Sequence, residues 1–183
     1  MERTLWCGYT TITPTSIPKG PASMPEPIAR SPLSTEAIPG SWARGQDIVG
    51  GSVTVSDVTG ITMWRAWSGS ARMGTALVEP WRTEFSTSPG EFTVIAEGPV
   101  PEGAVDLTHI RVSLRLTGSP DTLMKLTALD LTEEMFPVLA AARTLVAGIT
   151  TEIVRDTPDG YLLVASRSFG VSLAHAIAEA IED

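Results

Sequence analysis

The chain has 183 residues, of which 43% are apolar and 19% charged, a composition that suits one folded domain with a sizeable core and is short for two. Its formal net charge of −8 offers no general attraction to nucleic-acid phosphates or an anionic membrane, and no run approaches the ~20 apolar residues that span a bilayer. The single cysteine, Cys7, excludes an intramolecular disulfide and a cysteine-rich zinc site.

The opening MERTLWCGYTTITP has no continuous apolar run and does not read as a secretory signal. The expectation is a soluble protein kept in a reducing cytoplasm, or a particle assembled there. Residues 1–46 hold seven of the fourteen prolines, at 14, 18, 21, 25, 27, 32 and 39. Proline removes a donor and restricts the residue before it, so neither a helix nor a central strand fits. We read an extended arm on a single α+β domain, 47–183. The arm carries Trp6, Ile12, Ile17, Met24, Leu33 and Trp42, more apolar material than a free linker needs, and is expected to lie on the body, on a neighbouring subunit or on a partner.

From Asp47 the residues turn to β-formers, with strands expected near 47–57, 60–72, 75–86, 91–97, 104–117 and 123–130. Ser88-Pro89-Gly90, Gly98–Gly103 and Gly118-Ser119-Pro120-Asp121 separate the later ones. The stretch Ala104–Thr117 carries the pattern most clearly: Ile110, Val112, Leu114 and Leu116 alternate with His109, Arg111, Ser113 and Arg115. From Thr132 the period changes, and Met135, Val138, Leu139, Ala142, Leu145, Val146 and Ile149 recur at three and four residues, predicting a helix of roughly four turns. Pro137 is tolerable there only in the first turn. A hairpin follows, Thr151–Arg155 and Tyr161–Ser166, closed by Asp156-Thr157-Pro158-Asp159-Gly160; a last helix runs from about Ser168 to Ile181. The expected fold is a mainly antiparallel meander with both helices on one face. The alternative is a sheet curled into a partial barrel, with His109, Arg111, Ser113 and Arg115 lining its interior.

No stretch carries a catalytic or cofactor signature, and no cofactor or metal is expected. Trp64 and Trp67, three apart on a strand, should lie on opposite faces, one of them in the core and the other beneath the arm. The sharper reading makes Trp64, Trp67 and Trp81 the wall of a pocket, with Arg65 or Arg82 binding a carboxylate or stacking on a ring. His109 and His175 read as surface histidines, Cys7 as a small buried thiol without a base, and Glu79, Glu84, Glu91 and Glu97 as solvated. The functional expectation is a non-catalytic interaction or assembly protein, virion-like or otherwise oligomeric, whose arm packs on a protein partner or a second copy. Trp6, Trp42, Trp64, Arg65, Trp67, Trp81, Arg82, His109 and Arg111 are the interface or pocket candidates. The alternative is a small-molecule binding protein or cofactor-free enzyme, cyclase-like, with an aromatic pocket lidded by the arm.

Overall fold

The sequence's β-formers fold into two antiparallel sheets in the computed structural model, which describes residues 48–50, 53–58 and 61–182. The arm, with Trp6, Cys7 and Trp42, lies outside the described residues. In chain order the strands are β1 (Ile48–Gly50), β2 (Val53–Asp57), β3 (Thr62–Ala66), β4 (Thr75–Glu79), β5 (Arg82–Ser88), β6 (Glu91–Ala96), β7 (Val105–Asp106) and β8 (Arg111–Thr117). A one-turn helix α1 (Asp121–Met124) comes next, then β9 (Ala141–Val146), β10 (Ile149–Thr157), β11 (Gly160–Ser166) and α2 (Gly170–Glu182). The larger sheet runs β1-β2-β8-β11-β10-β9 and the smaller one β4-β5-β6-β3-β7. The chain leaves the larger sheet after β2, builds the smaller one, and returns at β8. Two sheets therefore replace the expected meander, and the described residues form no closed barrel.

The larger sheet is covered on both faces. Val55, Val112, Leu114, Leu116, Ile153, Tyr161 and Leu163 meet Leu173, Ala174 and Ile177 of α2 and Leu123 of α1 on one side. On the other, Val154, Leu162 and Val164 meet Met63, Phe85 and Ile95 of the smaller sheet. This explains why Tyr161–Ala165 is apolar without alternation and buried throughout: a strand covered on both faces has no wet side to mark with polar residues. The alternation of β8 has a second meaning too. Val112, Leu114 and Leu116 face the helices, while Ser113 is buried and Arg111 and Arg115 are half-buried on the opposite face. Arg115 pairs there with the buried Asp156, Nη1 to Oδ2 at 2.6 Å. His109 precedes the strand and is exposed.

The helix expected from Thr132 is absent. Residues 130–140 form turns, with Leu131 and Phe136 dropped into the helix-side core, and 141–157 form the β9–β10 hairpin. The spacing misleads because the apolar residues serve separate tasks: Val146 is core, whereas Met135 and Leu145 are exposed. Ala147-Gly148 is the two-residue turn, with φ +50° and +78°, as a primed turn matching strand twist requires. Similarly, residues 123–130 contain the end of α1 and turns rather than a strand. The turns at Pro89-Gly90 and Pro158-Asp159 lie where the sequence places them.

Ala147 pays for its left-handed backbone, since its Cβ crowds the following carbonyl. Ala147→Asn, with Gly148 unchanged, is expected to raise unfolding stability by about 1 kcal/mol, measured as a higher urea midpoint at constant slope. An unchanged or lower midpoint contradicts it.

Candidate functional site

Two groups of side chains stand out against this frame. The first lies between the sheets. Glu152 on β10 shares its face with Val154 and is only 2% exposed. Its Oε1 accepts from Arg143 Nη2 at 2.6 Å and from Thr87 Oγ1 at 3.1 Å, with Arg65 Nη2 at 3.6 Å. Arg65 Nη1 also donates to Glu91 Oε2 at 2.9 Å. Arg111 stands nearby: burial pushes its guanidinium below the ordinary value, the charge of Glu152 acts against that, and Arg65 and Arg143 reinforce it. Glu152 Oε2 and Arg65 Nε are buried without a hydrogen-bond partner among the described residues. β3, β5, β8, β9 and β10 thus converge on one carboxylate. Its chemistry is that of an electrostatic lock between sheets.

The second group lies on the outer face of the smaller sheet. Trp64, Val94 and Ala96 form a buried cluster there, with Ala66, Val100 and Ala104 packed on it. A cleft of about 330 Å³ opens beside it, lined by Trp64, Trp67, Arg82, Val94, Glu102 and Ala104 among others. Trp67 lines the same cleft as Trp64, contrary to the expectation of opposite faces. β3 ends at Ala66, so strand parity does not reach Trp67. The far wall of the cleft is residues 101–104, the end of a loop in which Gly98 and Gly103 take φ +106° and +81° and Pro99 and Pro101 restrict the chain between them. Ala104 N donates to Pro101 O at 3.2 Å and closes the turn.

Arg82 is positioned by Glu84, which is buried and not solvated as expected. Glu84 Oε1 accepts from Ser70 N at 2.6 Å and Ala71 N at 2.9 Å, and Oε2 accepts from Arg82 Nη2 at 2.5 Å. Gly69 permits the wrap of this loop, because a Cβ there would stand 2.5 Å from the Phe92 ring and 2.8 Å from Glu84 Oε1. Burial raises the Glu84 carboxyl, but the Ala71 and Ser70 N–H groups and Arg82 together outweigh it, and the net shift is downward. A carboxylate whose folded value is depressed contributes stability that is present above its unfolded value and lost as pH falls through the folded one. Stability is therefore expected to drop on acidification below the ordinary carboxylate range, with a shallower drop in Glu84→Gln. Urea midpoints across pH 3 to 6, roughly the range in which carboxylates titrate, provide the check; parallel profiles for the two proteins would contradict it.

Of the remaining candidates, Trp81 sits exposed in the β4–β5 turn and His109 in the turn before β8. Arg65 belongs to the interlayer lock rather than the tryptophan cleft. His175 is half-buried, with Nε2 buried and unpartnered among the described residues. The described residues contain no cluster of three or more His, Cys, Asp or Glu able to hold a metal. No helix among them is long and apolar enough to cross a membrane.

An open apolar groove of about 520 Å³ marks the place where the two sheets join, lined by Thr75, Ala76, Leu129, Met135, Phe136 and 137–142. A bridge between Thr75 and Ala140 ties β4 to the start of β9 there. Leu139, at φ +70°, is held by its N–H on Arg155 O and its carbonyl on Ala76 N, both 2.7 Å.

No protein-family model matches the chain, and no curated protein matches it. Among solved structures, the fold is shared with a chain of the heterotetrameric sarcosine oxidase from Corynebacterium sp. U-96, in a complex with pyrrole 2-carboxylate. The TM-score is 0.68 at 22% identity, over 84% of this chain and 94% of that one. This finding overturns the expectation of a non-catalytic, virion-like assembly protein, because the shared fold is that of a component of a metabolic enzyme.

Proposed function

We propose that this chain is a subunit of a multi-chain metabolic enzyme of the sarcosine oxidase kind, docked on a partner chain by the groove where the two sheets join. The observation that carries the reading is the extent of the likeness: it covers 84% of this chain and 94% of the neighbour's, so it runs over nearly the whole of that chain and is not confined to a small shared motif. The surface supports it. Met135 and Leu139, 65% and 41% exposed, line the groove, and the exposed Val78 lies two residues along β4 from Ala76, on the same face of the strand. Contiguous apolar surface of this kind is unusual on a monomer and common where subunits meet. The division into an arm, 1–46, and a body, 47–183, belongs to the same proposal. A reducing cytoplasm is the compartment that fits a chain with one cysteine.

The test is purification of the C-terminally tagged full chain from its native host, followed by its mass in solution and sarcosine-dependent oxygen consumption. The expected result is a stoichiometric complex with different chains that consumes oxygen with sarcosine. Recovery of a monomer, or of a complex of identical copies only, overturns the reading.

A further inference from the structure

We infer that the cleft on the outer face of the smaller sheet is a binding site for a small zwitterion with an alkylated ammonium at one end and a carboxylate at the other. The inference is independent of the subunit reading. Its basis is the set of groups that line one cleft of about 330 Å³: two indoles, one guanidinium and one carboxylate. That volume lies in the range of small-molecule sites.

Each end of such a ligand has its partner. Indole faces attract a cation through the ring quadrupole, and alkylated ammonium groups, which shed water more easily than a primary ammonium, are the cations that aromatic walls select. Trp64 supplies a fixed wall, since it is only 7% exposed and packed against Val94 and Ala96. Trp67 supplies a free one at 60% exposure. Glu102 lines the same cleft and has no ion-pair partner among the described residues, so it adds negative charge on the cation's side of the balance. Arg82 answers the other end. It gives Nη2 to Glu84, while its remaining N–H groups have no acceptor among the described residues, which leaves a fork for a carboxylate.

The charge balance selects the class. A simple anion would meet Arg82 but also Glu102, and a simple cation would meet Glu102 but also Arg82. A molecule bearing both charges satisfies both. The site is also preformed: Arg82 is held by Glu84, itself fixed by two backbone N–H groups, and the loop that ends in the far wall is stiffened by its prolines, so little ordering cost falls on binding.

The test uses ligand-observed NMR titration of the full chain with three probes: glycine betaine, tetramethylammonium and acetate. Betaine is expected to bind most tightly, with each one-ended probe weaker by about tenfold or more. Trp67→Ala is expected to weaken betaine and tetramethylammonium by about fivefold to tenfold and leave acetate unchanged, and Glu102→Gln to weaken the same two while tightening acetate. Arg82→Gln is expected to weaken betaine and acetate and to tighten tetramethylammonium. This crossed pattern cannot come from a misfolded variant, which would lose all three probes together. Absence of betaine binding to the unaltered chain overturns the inference. So does betaine binding that the variants leave unchanged or weaken without the crossed pattern.

Discussion

Glu152→Ala is expected to cost about 3 kcal/mol of unfolding free energy. The wild-type carboxylate sits where Arg143, Arg65 and Arg111 converge, and Glu91 is the other acid of the group, bonded to Arg65. Three cations against two anions become three against one. The guanidiniums are not equally committed, for the Arg143 side chain is 35% exposed and can turn to water, whereas that of Arg65 is 17% exposed with Nε already unpartnered. The cost therefore falls mainly on Arg65 and Arg111, and lies at the lower end of what breaking a buried pair costs. Glu152→Gln keeps an acceptor for Arg143 and Thr87 and removes only the charge, so an intermediate loss is expected. Urea unfolding of the three proteins provides the measurement. A loss below about 1 kcal/mol for the alanine variant would mean that solvent screens this cluster as it screens surface pairs.

How much of this was legible beforehand depends on how far apart in the chain the partners lie. The apolar run of β11, the alternation of β8, the turns at Pro89-Gly90 and Pro158-Asp159 and the α2 stripe all record local geometry, and all appear in the structure. What the run and the alternation could not show is which surface covers each face. Arg111, Ser113 and Arg115 alternate with the apolar set as a solvated face would, yet a second sheet stands over them. The false helix at 132–149 has the same origin. Short apolar runs fit two periods, and the decisive marks were Pro137 in mid-pattern and Ala147-Gly148 as a hairpin turn, both outweighed by the spacing of Leu139, Ala142, Leu145 and Val146.

The candidate site was legible in its residue types and not in its grouping. Trp64, Trp67 and Arg82 are brought to one cleft, but Arg65, on the other face of β3, is drawn into the interlayer lock. Glu84 and Glu152 were missed as special because their partners come from elsewhere: Ser70 is 14 residues from Glu84, and Thr87 is 65 from Glu152. A signal was present in Thr151-Glu152-Ile153-Val154, since an acid in a strand otherwise rich in β-branched residues is rarely buried without a cation. Glu102 carried no signal at all, being one acid in a loop.

Arg155→Lys is expected to cost about 2 kcal/mol, and Arg155→Met about 3 kcal/mol, because the side chain is a buried clamp rather than an ion-pair partner. Arg155 is 6% exposed. Its Nη1 donates to Phe136 O at 2.8 Å, and Nε and Nη2 donate to Pro158 O at 3.1 and 2.6 Å. The guanidinium lies 5.6 Å from the centre of the Tyr161 ring. One planar fork thus joins the 130–140 segment to the β10–β11 turn, a span that the single ammonium of lysine cannot satisfy at both carbonyls. The methionine variant fills the space but leaves the Phe136 carbonyl unpaired in the interior, whereas that of Pro158, in an exposed turn, can turn to water. The backbone of Arg155 binds the same segment, N–H to Ala140 O at 3.0 Å and carbonyl to Leu139 N at 2.7 Å. Loss of the side-chain clamp should therefore loosen the segment without unpairing β10 from β11. Hydrogen exchange distinguishes the two: the Leu139 and Ala141 amides are expected to exchange faster in Arg155→Lys, with those of β11 retaining their protection. Because Met135 and Leu139 are the exposed rim of the apolar groove, the same variant should weaken association with the proposed partner chain even though residue 155 does not reach the surface. Undiminished protection at Leu139 and Ala141 would mean that the backbone bonds alone hold the groove, leaving the clamp a contribution to global stability only.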